Sequence, residues 1–423
     1  MRQEMKETIE RENQISLSEM SEDIVSEAAE LLTEPWLTET IIANAANLGI
    51  AGERKLILTI YLVGTSRMLE KPLAAIVQGP SSSGKSHLIE KVGKLFPPET
   101  VIHATQMTPQ ALYYMLPGEL SHRFVIAGER SLASDSGQVE ATRALREMLS
   151  AGYLSKLTPV KTAEGVMETQ RIEQRGPIAY VESTTSSNVF DEDANRCVML
   201  QTDERPEQTL KILKSIADNH NSRTSSDDRD RIISVHHAIQ RLLAPYEISI
   251  PFASQLTEMI PSDRVEMRRA FPQLLGMIQA SCLLHQKQRS IDESGRLQAT
   301  QEDYQIARTL LQEPMTRSFG RGYSEGAVRC YERLQVSFGF EEFTTLEASR
   351  KDKFSRRAVT GWLKELETAG MVNQVEVGRG RTPSKWQLVR QELEADELFA
   401  ENSILPSVSA VFGANEDQAE LAA

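Results

Sequence analysis

Between Ala51 and about Glu204, short apolar runs alternate with helix-compatible segments, the pattern of a parallel α/β layer. The runs Leu73–Gln78, Val101–His103, Phe124–Ala127, Ile178–Glu182 and Val198–Gln201 are the expected strands. Residues 1–50 are charged and helix-compatible, with an apolar patch around Ala29–Ile42. The polar stretch Asp218–Asp230 reads as a loop, and a helix-rich block follows to about Leu334. Five regions are expected: an N-terminal helical region (1–50), an α/β core (51–217), a helical lid or linker (218–334), a small C-terminal domain (335–390) and an acidic, flexible tail (391–423). No internal repeat is visible.

Two smaller patterns refine this outline. Alternation from Leu154 to Arg175, centred on Thr158–Gly165, predicts a β-hairpin just before the strand Ile178–Glu182. Its Lys156 and Lys161 either touch a phosphodiester backbone or belong to a solvated hairpin with no ligand. Near the C-terminus, Phe343-Thr344-Thr345-Leu346 opens a helix-turn-helix pattern whose second helix is Phe354–Lys364, with Ser355 as N-cap. Val359, Leu363 and Leu366 share one helical face, Gly370 ends the helix, and Met371–Val375, the basic tip Gly378–Thr382 and Trp386–Leu388 read as strand, tip and strand. This is a winged-helix pattern. Arg356, Arg357, Thr360 and Lys364 would face a DNA groove, and Arg379, Arg381 and Lys385 would grip phosphates. Winged helices also dock proteins, and Trp362 fits the core better than a base contact.

Composition narrows the class. At 423 residues, 40% hydrophobic and 25% charged, the chain has the balance of a soluble globular protein of two or three domains. No apolar run approaches the length that crosses a bilayer, and the polar start Met1–Asn13 is no secretory signal. Cys197, Cys282 and Cys330 lie far apart, which fits a reducing cytoplasm and argues against a disulfide framework or a zinc site. His236 and His237, with no cysteine nearby, are expected at the surface. The net charge of −13 is unevenly spread: Lys351–Lys385 holds eight basic residues against four acidic ones, so an acidic average does not exclude DNA.

The run Gly79-Pro80-Ser81-Ser82-Ser83-Gly84-Lys85-Ser86 follows the first expected strand and opens the helical segment Lys85–Lys94. A strand feeding a Gly-rich turn into a helix aims backbone N–H groups and a positive helix end at one point, where a polyphosphate can sit. Lys85 would reach the β- and γ-phosphates of ATP, and the Ser86 hydroxyl would bind Mg²⁺. A hydrolase of this kind also needs an acid at a neighbouring strand end. Glu129 supplies one, or is a solvated residue ending its strand. Gly128 stands before it, where an Asp or Glu supporting Mg²⁺ is usual, which leaves Asp135 or Glu182 to compensate. Thr184 and Thr185 are sensor candidates for the γ-phosphate, or simply end their strand. Arg196 either pairs with Asp191 or Asp193, or projects to a subunit boundary as an arginine finger. Arg268 and Arg269, at the start of an apolar helix, are placed to reach nucleotide from the lid.

Together, Asn47–Glu53, Tyr61–Arg67, Lys71-Pro72-Leu73, the phosphate loop and Phe96–Glu99 resemble the ATPase part of bacterial and phage-type DNA primase-helicase proteins. Gly176–Thr185, Asn195-Arg196-Cys197 and Leu283–Arg289 extend the likeness, which covers roughly residues 30 to 310. The resemblance implies an AAA+ ATPase of the helix-hairpin-insert kind, similar in architecture to minichromosome-maintenance helicases. It implies a ring, hexameric or otherwise, that binds ATP and Mg²⁺, engages single-stranded or duplex DNA, and works with replication or mobile-element proteins. It places Lys85 and Ser86 in the phosphate loop, Glu129 at the acidic strand end, Thr184 or Thr185 as sensor, Arg196 as finger and Arg268 or Arg269 in the lid. No zinc-binding primase module or polymerising domain precedes residue 30, so priming is not expected. Gly128 favours a second expectation, a nucleotide-gated assembly platform or regulator on DNA with slow or no hydrolysis.

Overall fold

Parallel strands covered on both faces need continuous apolar runs, and the expected runs become the strands of one parallel sheet. A computed structural model describes residues 2–105, 111–130, 136–161, 165–186, 196–221, 226–262, 265, 267–319, 325–352, 355–368, 371–376, 378, 383–389 and 404–413. The strands are β1 (Ala74–Gln78), β2 (Val101–Ala104), β3 (Arg123–Arg130), β4 (Tyr153–Lys161), β5 (Met167–Arg175), β6 (Ile178–Thr184) and β7 (Val198–Gln201). Five of them form one sheet in the order β2-β3-β6-β1-β7, with every neighbouring pair parallel. All seven residues of β6 are buried.

The two faces of the sheet are filled by different helices. Leu56 to Thr65 are all buried in the helix Arg54–Thr65, as expected of a helix that is apolar on every side. Tyr61, Phe96 and Phe124 make tilted and edge-on ring contacts at 5.1 Å beside it. Ala144, Leu145 and Met148 of the helix Ser136–Ala151 pack on the other face with Ile76, Val125 and Tyr180. β4 and β5 form an antiparallel hairpin, paired from Tyr153↔Arg175 to Lys161↔Met167 and inserted between that helix and β6.

The chain divides into two compact units. The first holds the sheet, the N-terminal helices and residues 268–311 and 408–423; the second holds residues 259–267 and 312–407. In the first, the helical region is tied by a buried ion pair, Arg289 Nε to Asp303 Oδ2 at 2.8 Å, with Ser281 Oγ donating to Asp303 Oδ1 at 2.8 Å. In the second, the helix Glu325–Phe338 is followed by Phe343–Thr344, the helices Thr345–Asp352 and Arg356–Thr368, and the strands Val372–Glu376 and Lys385–Leu388. The last strand lies between the other two in an antiparallel sheet, over a core of Tyr331, Val359, Leu363, Leu366 and Trp386. Ser355 caps its helix by accepting from the Ala358 N–H at 3.2 Å, and Thr344 and Glu347 form a reciprocal capping box.

Three expectations give way to the structure. The stretch Asp218–Asp230, expected to be a loop, is helical over its described residues, as the end of the helix Pro206–Asn221 and the start of the helix Ser226–Leu242. His236 is fully buried rather than at the surface, with Tyr61 Oη 3.1 Å from its Nδ1 and Asn44 Nδ2 3.1 Å from its Nε2. Neutral imidazole fits there because it can accept one hydrogen bond and donate the other. The region expected to be a flexible tail also contributes packed residues. Ile404, Leu405 and Val411 are buried, and Phe412 lies 4.9 Å from Phe252, edge-on. Among the described residues no helix is long and apolar enough to cross a membrane.

Candidate nucleotide site

The loop after β1 opens at the carboxyl end of the sheet, where open α/β sheets bind their ligands. Gly84 caps the following helix, Lys85–Gly93, at φ +87°, a left-handed conformation that glycine adopts without a Cβ penalty. With no side-chain cap, the first N–H groups of this helix are left for a ligand. Lys85 is 5% exposed, and its Nζ donates to the carbonyls of Gly79 at 2.7 Å and Pro80 at 2.6 Å. The ammonium is thus folded into the loop it would use to hold phosphates. Ser86, next to it, is exposed.

Both neighbouring strands brace the loop. Gly79 N donates to Thr184 O at 3.2 Å, and Thr202 N donates to Gln78 O at 3.2 Å. The Gln78 side chain donates to Ser186 O at 2.5 Å and accepts from Gln201 Nε2 at 3.4 Å. Thr202, which the sequence did not single out, is buried beneath Gly79, and its hydroxyl has no hydrogen-bond partner among the described residues.

β6 lies between β1 and β3, so its end stands between the phosphate loop and the acidic strand end. Gln78 is in register with Thr184, and Glu129 with Ser183. Thr184 is buried and its hydroxyl accepts from Ser186 N at 3.1 Å, whereas Thr185 just beyond is exposed. Glu129 is exposed. The β3–β6 register shifts between Ile126 and Glu129, so β3 carries one extra residue there, and Gly128 lies in that bulge. Glu182 is buried within β6 and accepts from Tyr180 Oη at 2.9 Å. Asp135, Asp191 and Asp193 lie outside the described residues.

The remaining candidates lie further along the chain. Arg196 Nε donates to Ser150 Oγ at 2.8 Å, which ties it to the end of the helix Ser136–Ala151. Arg268 and Arg269 are exposed in the first turn of the helix Met267–Leu284. On the hairpin, the Lys156 ammonium sits 5.4 Å from the Tyr113 ring centroid, and Lys161 is exposed at the last paired position of β4. In the C-terminal unit Arg356, Arg357 and Lys364 are exposed, and Thr360 Oγ1 donates to Arg356 O at 2.8 Å. Lys385 sits between two carboxylates, Glu342 at 3.2 Å and Glu376 at 3.6 Å, which hold its pKa above the usual lysine range. Arg379 and Arg381 lie outside the described residues.

A parallel sheet whose first strand runs into a glycine-capped loop with a buried lysine defines a P-loop domain, a fold that typically binds nucleotide with Mg²⁺. The MTBMA_p00010 P-loop domain family matches residues 27–243, just over half of the chain, and the chain belongs to this family. A search of the curated proteins finds no match.

Proposed function

We propose that the protein is an AAA+ ATPase that binds ATP and Mg²⁺, assembles into a ring, and engages DNA as a helicase- or translocase-like motor in replication or mobile-element maintenance. The observation that carries this reading is the row of groups at the carboxyl end of the sheet: Lys85 in the loop after β1, Thr184 ending the intervening strand, and Glu129 at the end of β3. In this reading Lys85 and Ser86 hold the nucleotide's phosphates and its Mg²⁺, and the metal neutralises charge on the phosphates. Glu129 polarises the attacking water, and Thr184 or Thr185 contacts the γ-phosphate. Arg196 is the finger that completes a neighbour's site, and Arg268 or Arg269 approaches from the lid.

The insertion of the β4–β5 hairpin directly before β6 supports a helicase-like member of that class, with Lys156 and Lys161 facing DNA in the ring. The C-terminal order of helix, strand, two helices and two strands supports a winged helix at 335–390. Its Arg356, Arg357, Thr360 and Lys364 would enter a groove, and Arg379, Arg381 and Lys385 would hold the backbone. For Lys385 this requires exchanging its two carboxylates for phosphate. The same reading takes 51–217 as the AAA+ core, 218–334 as lid and the cytoplasm as the compartment.

One observation favours a second reading, a nucleotide-gated platform with slow or no hydrolysis. A Cβ on Gly128 would stand 2.0 Å from Thr105 O, so the position before Glu129 has no room for the usual acid. Steady-state ATP hydrolysis with and without single-stranded and duplex DNA, with Lys85→Ala as the blank, tests the first reading. DNA stimulation that the blank loses supports a motor; ATP binding without turnover supports the platform.

A further inference from the structure

Arg67 lies just beyond the helix Arg54–Thr65 and is 3% exposed. Its Nη1 donates to Gln240 Oε1 at 2.6 Å and to Gly64 O at 3.3 Å, and the guanidinium sits 5.6 Å from the Phe96 ring centroid. All three partners are uncharged. A buried cation whose direct contacts are dipoles and an aromatic face is costly, and burial pulls its pKa down to about 10, with Arg123 adding to the drop and Glu99 opposing it.

Arg67 also lines a cavity of about 40 Å³, bordered by Arg123, His122, Glu12 and Glu99. At roughly 10–15 Å³ for each water, the space suits about three waters or one small oxyanion. Neither Arg67 nor Arg123 has a carboxylate within ion-pair distance among the described residues. Of the two acids at the rim, Glu99 is already paired with Arg241 at 2.8 Å. Glu12 is exposed on the helix Arg2–Ser18, where water screens it. His122 closes one wall, with its Nδ1 2.6 Å from Arg67 O and its backbone N–H donating to Pro177 O at 2.8 Å.

The cavity is far from the phosphate loop. Arg123 opens β3, Arg67 and Met68 shortly precede β1, and Pro177 precedes β6, so the cavity lies at the amino end of the sheet. Strands of this length place the two ends on the order of 16 Å apart. We propose that this cavity is a second anion site, which takes one phosphate-sized oxyanion between Arg67 and Arg123.

The test titrates inorganic phosphate against full-length Lys85→Ala protein, so that the phosphate loop cannot supply the signal, with chloride holding ionic strength constant. Saturable binding by calorimetry is expected, at least tenfold weaker in Lys85→Ala/Arg123→Gln and tighter in Lys85→Ala/Glu12→Gln. Arg123 is only half-buried, and the Glu12→Gln arm predicts a gain, which misfolding cannot produce. The proposal is overturned by no binding beyond the chloride control, by equal affinity in the Arg123→Gln background, or by binding to the wild type that Lys85→Ala abolishes.

Discussion

Gly128 and Thr105 touch backbone to backbone: a Cβ on the glycine would stand 2.0 Å from the threonine carbonyl oxygen and 2.7 Å from its carbon. Replacing Gly128 by Asp to restore the missing acid should therefore fail. β3 would have to move away from the end of β2, at about 1–3 kcal/mol, the cost typical of overpacking. Gly128→Ala should already lower the urea midpoint, and Gly128→Asp should not raise ATP turnover. A faster, equally stable Gly128→Asp enzyme would refute the steric account.

Lys85→Ala should weaken fluorescent ATP-analogue binding at least tenfold while changing stability little. Its Nζ donates to the carbonyls of Gly79 and Pro80, bonds from a charged group worth about 1.5–3 kcal/mol each, but truncation also removes the cost of burying the ammonium, which offsets their loss. A large loss of thermal stability would mean that the lysine is mainly a loop staple.

If sites are shared between subunits, Arg196→Ala should keep nucleotide affinity and lose turnover, and mixing it with Lys85→Ala protein should restore part of the activity. No restoration at any mixing ratio would count against sharing and leave the bond from Arg196 to Ser150 as its role.

Asp303→Ala should lower stability by about 3–5 kcal/mol, because it leaves the buried Arg289 guanidinium with only the exposed Glu302, 3.1 Å from its Nη1, as counter-charge. Denaturant unfolding of the two proteins measures this, and a loss under ~1 kcal/mol would show that water reaches Arg289.

Acid should loosen the first unit. Burial, with a smaller push from His237, lowers the pKa of His236 from 6.5 to about 3. The unfolded chain takes up this proton first as pH falls, so the group's contribution is intact above pH 6.5 and is lost towards pH 3. From pH 7 to 5 the loss is about 2 kcal/mol. Burial shifts His122, His237 and His285 in the same direction. His236→Gln should flatten the stability profile between pH 7 and 5, measured by urea unfolding at each pH; an unchanged slope would contradict the burial argument.

What could be read from the chain was local. β1 to β3, β6 and β7 lie where short apolar runs met turn signals, most plainly at β1 and β6 inside the sheet, whose residues are buried almost throughout. The phosphate loop was equally plain, since its chemistry is contiguous. His236 was misplaced because its partners Asn44 and Tyr61 stand 192 and 175 residues earlier. Thr202 beneath Gly79 and the contact between Gly128 and Thr105 were invisible for the same reason: each depends on which strands become neighbours. Residues 404–413 looked like tail because acidic composition around them hid three buried apolar side chains and the ring of Phe412.

Only Gly176 and Pro177 separate the end of β5 from the start of β6, and that joint is clamped. Gly176 N donates to Gly152 O at 2.8 Å, Ser121 Oγ donates to Gly176 O at 3.2 Å, and His122 N donates to Pro177 O at 2.8 Å. The hairpin is therefore a cantilever with its root built into the sheet. A load at its tip has no slack linker to absorb it and passes as a bending moment into β6, whose far end carries the carbonyl that Gly79 holds.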